Sequence, residues 1–337
     1  MIARALATVS LLTAPTAVLA HHSRAEYVGE VEIEGTLVDM LWRNPHPGFT
    51  IAVERDGQRV EWTVEGWSSL NGFERAGITQ ARFHIGDRLK VFGLASQRRE
   101  GRLLATHILL TDGTEAILRR EADPHWGQVP SLGGRRNWED ATETSVVDAA
   151  AENRGIFRVW SYPSAYYVTK EYLPLTPAAA AARAQWDEVD NYVMRCEQKG
   201  MPGSMVTPNP YEFVDHGDTI TIRGYELDVV RTVHMTGEWD PAQQPLSIQG
   251  FSVGRWEDPR TLVIHTSRID FPYLGLTGIP LSDAVEVIER YALSEDQTRL
   301  DYLITVIDPT AFTAPATFEH YWLALGEEFG AYACDVH

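Results

Sequence analysis

The chain has only two cysteines among 337 residues, Cys196 and Cys334, too few for a disulfide-dense scaffold or a cysteine-ligated zinc or iron–sulfur centre. It also lacks a basic run. With a net charge of −18, nucleic acid and anionic lipid surfaces are disfavoured as partners. No uninterrupted apolar stretch reaches the roughly 20 residues that a membrane-spanning helix needs, so no membrane span is expected. Tandem repeats, low-complexity tracts and the glycine patterns of Rossmann and P-loop nucleotide sites are absent as well.

What is present begins with a leader. Arg4 precedes the apolar stretch Ala5 to Leu12, which passes through Pro15 to the small-residue site Val18-Leu19-Ala20. That order reads as a signal peptide over residues 1–20, and predicts a periplasmic or secreted mature protein starting at His21. Losing Arg4 makes the net charge one unit more negative, which favours solubility or a cationic ligand. In an oxidising compartment the natural state of Cys196 and Cys334 is one disulfide. The competing reading, a nucleophilic cysteine, finds neither residue in a motif that would activate a thiolate.

Periodicity divides the mature chain into two β-rich parts. Over 21–118, short β-prone runs alternate with turn signals: Val31 to Asp39, Phe49 to Glu54, Arg59 to Glu65, Arg88 to Leu94 and Leu103 to Leu110. Asp56-Gly57 is a hairpin turn, and Trp67 to Gly77 reads as one short helix. Five strands and a helix predict a small OB-like β-barrel. Residues 119–154 carry many charges and little periodic apolar content, and read as a linker.

Over 155–337 the strand pattern returns. Ile156 to Trp160 and Ala165 to Tyr172 come first, followed by one clear helix with Thr176 as cap and Pro177 at its first position, running to about Val189. Eight β segments follow, from Tyr211 to Leu325, and predict an antiparallel β-barrel or curved sheet, lipocalin-like in outline, in a protein that is mostly β.

Several residue sets could carry chemistry. Cleavage after Ala20 would leave His21 and His22 at a free N-terminus, where an amine and two imidazoles suit copper. His46, in the stiff Asn44-Pro45-His46-Pro47 loop, is a possible third metal ligand, although the loop can equally be a plain turn. In the larger barrel, an inward arginine at Arg255 would need a carboxylate, with Glu289, Asp301 and Asp308 as candidates. Alternation over Val285 to Tyr291 sets Glu289 on the side of Val285, Val287 and Tyr291, the apolar face. Arg255, Glu289 and Asp308 therefore form the candidate catalytic set of a barrel-interior hydrolase, isomerase or cyclase, with the same residues serving equally as a structural pair. His234 and His265, on strands close in sequence, could act with a carboxylate as a metal or acid/base site. With Trp256 and Tyr273 they make the candidate ligand-binding set of an aromatic-rich barrel that holds a small, largely apolar molecule.

Two resemblances accompany these readings. Ala20-His21-His22-Ser23, Trp42-x-Asn44-Pro45-His46, Trp62 to Glu65, Leu70 to Gly77, Gly86-Asp87 to Gly93 and Asp112-Gly113 together resemble a domain of unknown function found in exported bacterial proteins. The likeness covers residues 20 to about 115 and implies a small β-barrel without an assigned activity. Cys196 to Pro202, Pro210-Tyr211-x-Phe213, Ser252 to Glu257 with Leu262-Val263, Glu289-Arg290, and Asp308-Pro309 with Pro315 are similar to a second exported group without a role. Leu281 stands where that group carries a histidine, which argues against a shared metal or catalytic histidine in that loop. Lipocalin-type carriers are a fold-level analogy only, because Gly155-x-Phe157 lacks their tryptophan.

Overall fold

A computed structural model describes residues 26–135, 154–162, 173–186, 191–276, 278–326 and 328–334. The leader, His21, His22, residues 136–153 of the proposed linker and the expected strand Ala165 to Tyr172 lie outside the described residues. Among the described residues, no helix is long and apolar enough to cross a membrane.

The first sheet has seven strands: β1 (Tyr27–Leu41), β2 (Gly48–Arg55), β3 (Gln58–Gly66), β4 (Arg88–Ser96), β5 (Arg102–Leu109), β6 (Glu115–Ile117) and β7 (Ser131–Gly133). Their order is β3-β2-β1-β4-β5-β6-β7, and a parallel pairing of β3 with β5 closes the first five strands into a barrel. With a helix, α1 (Leu70–Arg75), between β3 and β4, this is the OB-type arrangement that the strand count predicts. Asp56 and Gly57 both take positive φ, and Arg55 pairs with Gln58 across the turn, the geometry of a two-residue hairpin. β1 is long because it serves both neighbours, pairing with β2 and with β4. Its register shifts between Leu37 and Asp39, a bulge that bends it around the barrel. Phe73 of α1 is buried and packs with Trp42, Phe49 and Phe83, an aromatic plug whose contacts recur through the Trp42 to Gly77 motifs. Gly93 is required by space, since a Cβ there would lie 2.1 Å from the Leu104 carbonyl oxygen on β5.

The second sheet has nine strands: β8 (Val159–Trp160), β9 (Tyr211–Asp215), β10 (Thr219–Gly224), β11 (Val229–His234), β12 (Phe251–Asp258), β13 (Thr261–Ser267), β14 (Glu286–Leu293), β15 (Arg299–Ile307) and β16 (Ala316–Leu323). They follow chain order around the sheet. Just beyond β8, Ser161 exchanges two backbone hydrogen bonds with Leu323, 2.8 and 2.9 Å, which brings the two edges together and nearly closes a barrel. The pairing is antiparallel except between β11 and β12, where Val233 and His234 run parallel to Ser252 and Val253. The expected uniform meander is corrected there: residues 235–250 cross over before the chain re-enters the sheet, and the expected strand start at Leu246 moves to Phe251.

The long helix is α2 (Pro177–Gln185), with Pro177 in its first turn. Thr176 Oγ1 accepts from the Ala179 N–H at 3.2 Å and donates to the Thr310 carbonyl at 2.8 Å, so one side chain both caps the helix and ties it to the β15–β16 connection.

Candidate functional site

Period-two alternation points Val229, Arg231 and Val233 of β11 inward together, leaving Val230 outside. A guanidinium is thereby carried into the barrel, 2% exposed. Glu289 enters from β14 in the same way, fully buried between Val287 and Tyr291, as the alternation predicts. Arg231 Nη1 lies 2.8 Å from Glu289 Oε2 and 2.9 Å from the sulfur of Met201. The other carboxylate oxygen accepts from two phenols, Tyr291 at 2.7 Å and Tyr302 at 2.8 Å. Aromatic rings surround the group: Tyr302 and Trp322 have centroids 4.8 Å apart, Phe213 and Tyr291 5.3 Å, and Tyr211 and Trp322 5.3 Å.

The electrostatics follow from that burial. Desolvation first, and then the Glu289 charge, push both the Tyr291 and the Tyr302 phenol well above the ordinary tyrosine value, so each stays protonated and donates. Burial alone would lower the Arg231 guanidinium; the Glu289 carboxylate outweighs it and raises its pKa. His320 packs against Tyr302 and Trp322 at 4.6 and 4.5 Å, and burial depresses its imidazole to about 3, so it is neutral at physiological pH.

The other candidates take different places. Arg255 is exposed on β12, and the inward-facing positions of its motif are Ser252 and Gly254, so the expected Arg255–Glu289 pair gives way to Arg231–Glu289. Gly254 faces in because its missing Cβ leaves room for Met235, whose sulfur would lie 2.5 Å away. Asp308 is buried but committed to a turn: it accepts from the Ser282 N–H at 2.6 Å, the Ser282 hydroxyl at 3.1 Å and the Thr310 N–H at 2.9 Å. The Leu281-Ser282 and Asp308-Pro309 motifs thus meet as one structural lock. Asp301 is exposed and pairs with Arg299.

The expected ligand-binding set is likewise not brought together. His234 and His265 flank Val253 in register on the outer side of the sheet, where His234 stacks on Phe251 and His265 lies 3.2 Å from Glu286. Trp256 is exposed and packs its ring against Phe157, while Tyr273 joins Trp186 and Tyr192 in a separate aromatic cluster. His46 lies 3.9 Å from Glu65, and the proposed partners His21 and His22 lie outside the described residues. Among the described residues, no three His, Cys, Asp or Glu side chains gather as a metal site. Cys196 and Cys334 form a disulfide with Cα atoms 5.8 Å apart.

Arg231 escaped the sequence reading although its signal was present, since it sits two residues from Val229 and two from Val233 within an apolar alternation. A second polar cluster, on the first barrel, was missed altogether. There Glu115, fully buried, accepts from the His125 N–H at 2.7 Å, and Glu32 accepts from Trp126 Nε1 at 3.0 Å, while His125 stacks on Phe92. These contacts fasten the turn after β6 onto the barrel wall.

Fold and site together define a two-barrel β protein whose larger barrel encloses a polar group made of one arginine, one glutamate and two tyrosines. Over residues 8–106 the sequence matches the model of a family of unknown function, DUF6152, a match that spans β1 to β4 and most of β5. No curated protein matches the chain.

Proposed function

We propose that the chain is an exported, periplasmic binding protein for a small, largely apolar molecule, held in the nine-stranded barrel and anchored at the Arg231–Glu289 group. The carrying observation is that Arg231, almost fully buried, has Nε and Nη2 without an acceptor among the described residues. Buried donors of a charged group cost free energy unless an acceptor completes them, and an aromatic-lined barrel suits an apolar molecule that brings one. The signal-peptide pattern and the Cys196–Cys334 disulfide both suit an oxidising compartment outside the cytosol. The −18 net charge argues against nucleic acid as a partner. The OB-like barrel is an accessory module in this reading.

The test is expression with the leader intact, followed by N-terminal sequencing and organic extraction of the purified protein. The expected product begins at His21, yields a co-purifying lipophilic compound, and shows a raised melting temperature when that compound is added back. A cytosolic product with an intact leader, or an empty extract together with no thermal shift across a lipophile panel, would overturn the assignment.

A further inference from the structure

The two donors that Arg231 leaves without acceptors are not an arbitrary pair. In a guanidinium, Nη1 lies on the same side as Cδ, and Nε with Nη2 forms the opposite, side-on edge, whose N–H bonds run parallel. Glu289 and Met201 both engage Nη1, so the edge left over is the one that grips planar oxygen acceptors. Trp322, fully buried in the same aromatic group, adds an indole N–H that also has no acceptor among the described residues.

Charge decides which acceptor fits. The guanidinium is already matched by one carboxylate, Glu289, whose Oε2 faces Nη1 at 2.8 Å and whose Oε1 accepts from Tyr291 and Tyr302. His320 is neutral, and Arg158, which lies over the Trp160 ring at 5.8 Å, is already engaged. A carboxylate ligand on the free edge would put a second negative charge beside a single compensated guanidinium, in a site where an uncompensated buried charge is heavily penalised. A carbonyl oxygen brings acceptor lone pairs without that charge.

Resting on the binding-protein reading above, we propose that the larger barrel selects apolar molecules bearing an uncharged carbonyl group, such as an ester, lactone or amide, and that the side-on edge of Arg231 holds that oxygen. Glu289 acts as a charge filter: by neutralising Arg231 it turns what would be an anion site into a carbonyl site.

The experiment compares three probes of matched chain length, methyl decanoate, decanoate and decane, titrated calorimetrically into the full-length mature protein at neutral pH. Methyl decanoate is expected to bind about tenfold or more tighter than decane, the effect of a hydrogen bond from a charged donor, and more tightly than decanoate. Glu289→Gln, which leaves Arg231 uncompensated, should reverse the order of ester and carboxylate. Arg231→Lys keeps the charge but removes the edge, and should bring the ester down to the affinity of decane. Equal binding of ester and decane by the natural protein, or an order unchanged by Glu289→Gln, would overturn the carbonyl assignment while leaving a binding protein in place. Failure of all three probes, with an empty organic extract, would remove both. Should either variant fail to fold, the ester-against-alkane comparison in the natural protein decides.

Discussion

At the scale of single residues, His320 gives the barrel a defined response to acid. Its folded-state pKa is depressed by burial to about 3, against an ordinary histidine value near 6.5. Between those values the unfolded chain binds a proton that the folded chain does not, so the neutral imidazole's contribution is fully present above the unfolded value and is lost as pH falls toward 3. The expected loss by pH 4 is on the order of 3 kcal/mol. Urea midpoints at pH 7 and pH 4 should therefore lie further apart in the natural protein than in His320→Phe, and equal separations would refute the assignment. Residue-level legibility was uneven. Glu289 is legible as the one carboxylate in phase with Val287 and Tyr291, and the same alternation over Val229 and Val233 marks its partner Arg231 as inward-facing, although it does not say which strand's carboxylate that arginine meets.

At the scale of elements, long runs with clear alternation or well-made turns were legible, as the Asp56-Gly57 hairpin and the Thr176-capped helix demonstrate. Strands of three residues, β6 and β7, carry too few alternations to register, whereas β8 falls within the expected run Ile156 to Trp160, shortened to its last two residues. The parallel seam between β11 and β12 was not legible either, because periodicity tells which way a side chain faces and not which neighbour its strand pairs with. That seam explains the demand for glycine at position 254. A Cβ there would lie 2.5 Å from the Met235 sulfur and 2.7 Å from a Val233 methyl, with Met235 the first residue of the crossover. Gly254→Ala should cost about 1–3 kcal/mol, the range for overpacking, and Met235→Ala in the same chain should recover part of that loss. Chemical denaturation of the single and double variants measures both. A double variant less stable than the sum of the two single effects would show that the crowding lies elsewhere.

At the scale of the whole molecule, the two barrels are joined through the C-terminal tail. Asn44, fully buried in the Trp42-x-Asn44-Pro45-His46 loop, accepts from the Leu70 N–H at 3.1 Å and donates to the Tyr332 carbonyl. The Tyr332 N–H in turn donates to Asp228 at 3.0 Å, and Cys334 is bonded to Cys196 beside Tyr192, Tyr225 and Leu227 of the larger barrel's satellite cluster. The disulfide therefore holds the tail where Asn44 can reach it, and a motif that read as a turn or a copper loop has a bridging role. With a sequence separation of 138, the bond stabilises the fold by up to about 5 kcal/mol in the chain-entropy model. Asn44→Asp keeps the acceptor for Leu70 but turns a second acceptor oxygen toward the Tyr332 carbonyl, at an expected cost of about 2 kcal/mol or more. If the tail is the link, that cost should shrink by at least half when both cysteines are replaced by serine, because the freed tail no longer has to face Asn44. Urea unfolding of the four proteins closes the cycle, and a cost for Asn44→Asp that is the same with and without the disulfide would mean that the loop and the tail are stabilised independently.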